Sequence, residues 1–405
     1  MAQIAIPVAR DTKIIGLVSF GHMLSHFYFL VIPPILILLK ADIEASYLGF
    51  GVVLGAFSFS AFIFQTPVGF LVDRIGAVRL LVWGLLIETV CIGLMGFSQS
   101  YWQILSLYAL AGLANTVFHP ADYAILAASV DRSRLGRAFS VHLFSGNLGF
   151  AITPFIMLGL AELWGWRGAF HAVGLFGFGF ALYLWSQQHV LERAMAFTAD
   201  ARDNAHNAGL SDGMKLLFSF PIMMCLLFFV LLTLGFTGIK LYFVTAVGLL
   251  FETPLTTANI ALTGFLMGTA LGIVAGGFIA DRFGIRRVTA FVTLGIAALL
   301  IALVGTVTMS ETGVFAAITA SGFLQGLLLP TRDLLIRQVT PDGSMGKVMG
   351  FLSSGLMGAS FAVPILFGWM LDQGMLRPIF WFSAVFIAAA MFAFVTTQSD
   401  SRQEP

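Results

Sequence analysis

The chain has 405 residues, 59% of them hydrophobic and 10% charged, with a formal net charge of +1 and a mean hydropathy of +0.94. Soluble domains run about 45–50% apolar and about 25% charged. This composition therefore excludes a water-soluble enzyme, a nucleic-acid binder and a disordered chain, and it asks for lipid as the solvent.

Residues 1–13 are polar and end in Arg10, Asp11 and Lys13. The apolar stretch behind them is too long for a signal-peptide core of about 7–15 residues, and it reads as a retained first membrane helix. A membrane helix needs about 20 mostly apolar residues. Such runs predict spans over 14–39, 46–71, 79–98, 101–130, 136–161, 167–187, 215–249, 256–280, 288–309, 311–339, 346–371 and 377–397. The runs are continuous rather than alternating, so the fold class is all-α, a membrane protein of twelve transmembrane helices. A long polar stretch, 188–214, divides the chain into an N-terminal six-helix half (1–187), a linker and a C-terminal six-helix half (215–405). With the N-terminus in the cytoplasm, sixteen Lys and Arg residues fall on that side and three, Lys40, Arg167 and Arg377, on the other. The positive-inside rule then puts both termini and the linker in the cytoplasm. Cys91 and Cys225 lie in apolar runs, which leaves no disulfide framework and no cysteine-based metal site.

The two halves repeat. Gly69, Phe70, Asp73, Arg74, Gly76 and Arg79 recur 208 residues later as Gly277, Phe278, Asp281, Arg282, Gly284 and Arg287. Further on the offset is 210, pairing Gly112 with Gly322, Pro120 with Pro330, Pro154 with Pro364 and Arg167 with Arg377. Six spans is an even number, so the repeat is parallel.

The loop pattern Gly-x-x-x-Asp-Arg-x-Gly followed by basic residues, present twice in a 6+6 chain, resembles the signature of the major facilitator superfamily. The second copy is the fuller one, with Arg286 and Arg287; the first has Ala77 and Val78 before Arg79. His22, the run Val117-Phe-His119-Pro120 and the run Ser145-Gly-Asn-Leu-Gly149 with Pro154 are similar to the fosmidomycin-resistance-type branch. The Gly-Pro pattern of drug antiporters is not matched, since Pro154 follows Thr153. The resemblance implies two pseudo-symmetric bundles and a cytoplasmic gate built from Gly69, Asp73, Arg74 and Gly76 and from Gly277, Asp281, Arg282 and Gly284. A carboxylate there is favoured at a helix N-terminus by about 0.3–1 kcal/mol, and the glycines permit tight turns and close approach.

An ionised group at mid-bilayer costs about 2.5–3.5 kcal/mol, so each one marks a functional candidate. His22 and His26, four apart on one helix face, suit a proton carrier because histidine titrates near neutral pH. No Asp, Glu or Cys joins them on that helix, so no metal site is expected. Asp122 and Arg332 are 210 apart and opposite in charge, which makes them a candidate pair across the two halves when the inner side is closed; the alternative is a local partner for each, with Asp333 beside Arg332. Lys240, in the outer part of helix seven, either binds an anionic group or snorkels to the membrane face. Glu88 reads as a buried structural hydrogen bond, His119 as a holder of the Pro120 kink, and His142 and Asn147 as lesser cavity candidates. Gly264, Gly268, Gly272 and Gly276 form a small-residue stripe for helix packing. The same packing is expected of Gly51 with Gly55, and of Gly350, Ser354 and Gly358.

No nucleotide loop or His-Glu-x-x-His motif occurs, so neither ATP nor enzyme chemistry is expected, and no cofactor. The expected function is a secondary transporter that moves a small solute, an organic anion, with protons as the coupling ion. Its setting is the lipid bilayer of a bacterial inner membrane, and a monomer is expected. The alternatives are a drug-efflux antiporter and a membrane sensor that keeps the fold without turnover.

Overall fold

Backbone polar groups in lipid must pair within their own segment, and long apolar runs meet that demand as helices. The computed structural model describes residues 8–131, 133–199, 215–283, 287–341 and 345–400. In chain order these hold α1 (Val8–Phe29), a 3-10 turn (Pro33–Ile35), α2 (Leu36–Asp42), α3 (Tyr47–Ile75), α4 (Ala77–Met95), α5 (Tyr101–Asn115), α6 (Phe118–Ser129), α7 (Leu135–Ser186) and α8 (Gln188–Ala199). They continue with α9 (Phe220–Phe251), α10 (Leu255–Phe283), α11 (Arg287–Thr306), α12 (Glu311–Val339), α13 (Met345–Asp372) and α14 (Leu376–Asp400). Ten helical stretches are long and apolar enough to cross a membrane. The longest, α7, breaks at Gly165 (φ 69°) and supplies two spans, and the shorter apolar helix Ala290–Thr306 supplies one more. The described residues thus hold the twelve predicted spans.

Interruptions in the helices follow from local chemistry. Proline removes a backbone donor and clashes with the preceding turn, so Pro33 and Pro34 separate α1 from α2. The carbonyls of Tyr28 and Phe29, freed there, accept the buried Tyr108 hydroxyl at 3.3 and 2.7 Å. Helix four divides into α5 and α6 just ahead of Pro120. At Gly165 the positive φ favours glycine, and the following Arg167 donates to the carbonyl of Ser98 at 3.4 Å. Its repeat counterpart Arg377 donates to the carbonyls of Gly305 and Thr306, both at 3.0 Å. Each arginine thus meets carbonyls at or just beyond a helix C-terminus, where a cation is favoured. Ser100 and Ser310 extend the symmetry: Gln103 Oε1 accepts from the Ser100 N–H at 3.2 Å ahead of α5, and Ser310 Oγ accepts from the Gly313 N–H at 3.2 Å ahead of α12.

The chain packs as two compact units, one of residues 1–31 and 60–206, the other of 32–59 and 207–405. These units and the halves drawn along the chain differ at 32–59. The reason lies in small residues and one carboxylate. A Cβ at Gly51 would overlap the backbone carbonyl of Pro364, and one at Gly55 would lie 2.9 Å from that of Phe361. Asp372, at the end of α13, accepts the backbone N–H groups of Tyr47 and Leu48 at 2.8 Å each. A carboxylate on the first free N–H groups of a helix stabilises it by about 1–2 kcal/mol. Asp372→Ala is accordingly expected to lower unfolding stability by that amount, seen as a fall in apparent Tm of the purified protein.

In the first unit α1 packs on α7 and α6, and α4 on α5 and α7. In the second, α9 packs on α13 and α14, and α10 on α12. The α10 stripe behaves as the spacing predicts. A Cβ at Gly268 would lie 2.6 Å from the carbonyl of Thr319, and one at Gly276 2.5 Å from that of Leu327. Gly350, by contrast, has nothing within 4 Å of a built Cβ, so close packing is not its role. Part of the predicted linker is helical: α8 covers 188–199, buries Leu191 fully and packs on α6 and α4.

Candidate functional site

Three helices of the first unit bring ionisable groups together in its interior. His22 and His26 share a face of α1, with ring centroids 4.4 Å apart. The break before α6 is followed at once by His119 and Asp122. Residues Gly146 and Gly149 of α7 leave the room: a Cβ at Gly146 would lie 2.8 Å from both His22 Nε2 and His26 Cε1, and one at Gly149 would overlap the carbonyl of Met23. His142, one turn before Gly146, then stacks on His22 at 3.8 Å with 25° between the rings.

Asp122 is the centre of this cluster. Its Oδ2 lies 3.3 Å from His22 Nδ1 and 3.8 Å from His142 Nε2. Asp122 is 0% exposed, and His22 and His142 are each 2% exposed. Both Asp122 oxygens, both His142 ring nitrogens and His22 Nδ1 are buried without a hydrogen bond among the described residues. His26 is half-buried and packs on Phe150 at 4.4 Å. His119 is exposed, 5.2 Å from the His22 ring and 6.1 Å from that of His26. An accessible imidazole thus stands beside the enclosed trio.

A second buried carboxylate, Glu88 of α4, accepts from Asn115 Nδ2 at 2.8 Å. The same amide reaches the carbonyl of Ser25 at 3.3 Å, and Ser25 Oγ donates to the carbonyl of His22 at 2.8 Å. Glu88 therefore has the structural bond expected of it, and that bond leads to the helix that carries the histidines. Asn147 bonds only within its helix, to Leu143 at 2.9 Å among the contacts described, and so stands apart from the cluster.

The remaining site candidates lie elsewhere. Lys240 (α9) and Arg332 (α12) are half-buried in the second unit. The Arg332 guanidinium sits over Phe229, 4.6 Å from the ring centroid, a cation–π contact. Asp122, placed on sequence grounds opposite Arg332, has its neighbours His22 and His142 within its own unit. Of the loop residues, Gly76 adopts φ 101° between α3 and α4, a turn that favours glycine. Gly69 and Gly277 fall within α3 and α10, with open space where a Cβ would stand, so close helix approach does not explain them. Arg74 is exposed at the end of α3. Asp73, Asp281 and Arg282 are placed as helical backbone, their side chains being outside what is described, and Gly284 lies outside the described residues.

Within the first unit the structure adds a contact that sequence reasoning missed. Asp11, 1% exposed, accepts from Arg134 Nη2 at 2.7 Å and from the Asp131 N–H at 3.2 Å, and so ties α1 to the turn before α7. Asp131 itself is held below the usual carboxylate range by the Ser133 hydroxyl and backbone N–H. A charged residue near a helix start was visible in the sequence; its partner, 123 positions away, was not.

Comparison with known proteins agrees with this architecture. Residues 18–255 and 240–405 match the Major Facilitator Superfamily. The chain is 29% identical over 319 residues to MFS-type transporter pynF of Aspergillus niger, covering 76% of this chain and 70% of that one. It is 22% identical over 289 residues to the fosmidomycin resistance protein of Escherichia coli, covering 70% and 69%. A crystal structure of a bacterial homologue of the human lysosomal transporter Spinster superposes with a TM-score of 0.76 at 13% identity, over 98% of this chain and 97% of that one. The protein is a membrane transporter rather than an enzyme, and the chain belongs to the Major Facilitator Superfamily.

Proposed function

We propose that this transporter couples movement of an organic anion to protons by alternating access, in a bacterial inner membrane with both termini in the cytoplasm. The observation that carries the coupling is the enclosure of Asp122 by His22 and His142. A lone charge at this depth costs about 2.5–3.5 kcal/mol. A carboxylate between two imidazoles trades a proton among three bases without leaving an uncompensated charge. His26 and the accessible His119 extend the trio into a path for that proton. Lys240 and Arg332 supply positive charge for the anion. The loops Gly69, Asp73, Arg74, Gly76 and Gly277, Asp281, Arg282, Gly284 form the cytoplasmic gate. The protein works as a monomer, with solute and protons as its partners.

The test is a thermal-shift screen of the purified protein against carboxylates, phosphonates and cationic amphiphiles. A ligand at 100 times its Kd adds about 2.7 kcal/mol to apparent stability, a shift of several degrees. An anion is expected to raise the Tm of the wild type and to do so less in Lys240→Gln and Arg332→Gln. The E. coli relative carries drug resistance in its name, and this favours a second reading as an efflux antiporter. Stabilisation by cationic amphiphiles and by no anion overturns the anion reading and favours a drug substrate.

A further inference from the structure

We propose that His22, Asp122 and His142 form a binding site for one divalent transition-metal ion of the Zn²⁺ class. Each residue offers one ligand atom, and these atoms all lie within 4.8 Å of one another. Ligand atoms on tetrahedral bonds of about 2.0–2.1 Å stand about 3.3–3.4 Å apart. The separations of 3.3 Å from His22 Nδ1 to Asp122 Oδ2 and 3.8 Å from His142 Nε2 to the same oxygen approach that spacing; the His22 and His142 rings, stacked with 25° between them, have to rotate for both nitrogens to meet one ion. Two imidazoles and one carboxylate suit Zn²⁺, Co²⁺ or Ni²⁺. Ca²⁺ and Mg²⁺ call for sets of oxygen ligands.

A second observation points to a ligand. These atoms are buried and make no hydrogen bond among the described residues. Buried polar groups are normally paired, and a cation supplies all three at once. Its charge more than offsets the buried carboxylate and leaves one positive charge at the site. His119, exposed and 5.2 Å from His22, marks the side from which an ion enters; the fourth position is left to water. The expectation of no metal site weighed only the residues of α1, whereas the ligands come from α1, α6 and α7. The inference goes beyond the transport reading: an ion on these atoms and the shared proton are alternatives for one site, and the metal-free protein is the form that carries the proton.

The experiment uses the full chain, purified with a tag free of histidine and stripped with chelator. Co²⁺ is followed by its visible absorption and Zn²⁺ by calorimetry. One ion per chain is expected, with the intense bands of a tetrahedral Co²⁺ centre. Affinity is expected to fall roughly tenfold or more in His142→Ala and in Asp122→Asn, and to be unchanged in His171→Ala and His189→Ala. His142→Gln serves if the alanine variant is not monodisperse. No binding of either metal overturns the proposal, and so does binding that His142 and Asp122 substitutions leave unchanged. The titration contains no transport step, so its failure leaves the anion and proton reading standing.

Discussion

Gly272→Ala is expected to cost about 3 kcal/mol of stability, the upper end for overpacking, whereas Gly277→Ala, five residues on in the same helix, is expected to change it by less than about 1 kcal/mol. The difference is one of surroundings. A Cβ at Gly272 overlaps the backbone carbonyl of Phe323 and stands 3.0 Å from Gly326 Cα and from the Leu327 nitrogen. All three are backbone atoms, so no rotamer change relieves the clash, and α10 and α12 have to separate. In lipid, close packing is what holds helices together, since exclusion from water no longer does so. At Gly277 nothing lies within 4 Å. Apparent Tm and monodispersity in detergent check both variants. Equal loss in the two would remove the packing argument. A stable Gly277→Ala protein that no longer transports would show that this motif glycine serves the cycle rather than the fold.

The second large effect concerns coupling. Asp122→Asn is expected to fold, because asparagine has the same shape and its amide can donate to a neighbouring imidazole nitrogen. It is also expected to lose solute accumulation driven by a pH gradient while keeping counterflow of labelled solute. Each pH unit across the membrane supplies about 1.4 kcal/mol per coupled proton, so loss of one proton lowers the accumulation ratio about tenfold per unit. Proteoliposomes with an imposed gradient, loaded with the solute found in the thermal screen, provide the measurement. If the Asp122→Asn protein accumulates solute as the wild type does, the carboxylate is out of the coupling path.

Much of the scaffold was legible because it is periodic. Continuous apolar runs marked the twelve spans, the 208 and 210 offsets marked the repeat, and glycines four apart marked the α10 seam. Half of the cluster was legible for the same reason, since His22 and His26 are neighbours on one helix by spacing alone. His142 is 120 positions from His22, and its proximity depends on Gly146 and Gly149, whose spacing reads equally well as ordinary packing. Asp122 had two readings, a partner across the halves or a local one, and the sequence does not show that histidines of its own unit stand beside it. The membership of 32–59 was hidden too. Helix two reads as one uniform apolar run, and only the backbone of Pro364 and the carboxylate of Asp372 show where its first part packs. Gly165 was hidden differently: Arg167 announced a loop, while the backbone continues as helix on either side of one left-handed residue.

Arg167 and Arg377 perform one task twice, each donating to carbonyls at the end of a neighbouring helix. Asp122 and Arg332, equally equivalent by position, hold opposite charges in unlike surroundings. A duplicated chain therefore carries its own reference. Where both copies retain a residue and its contact, the shared duty is architecture. Where they part company, one copy has taken on work the other does not do, and the disagreements between the halves form a map of specialisation that can be followed without any other protein.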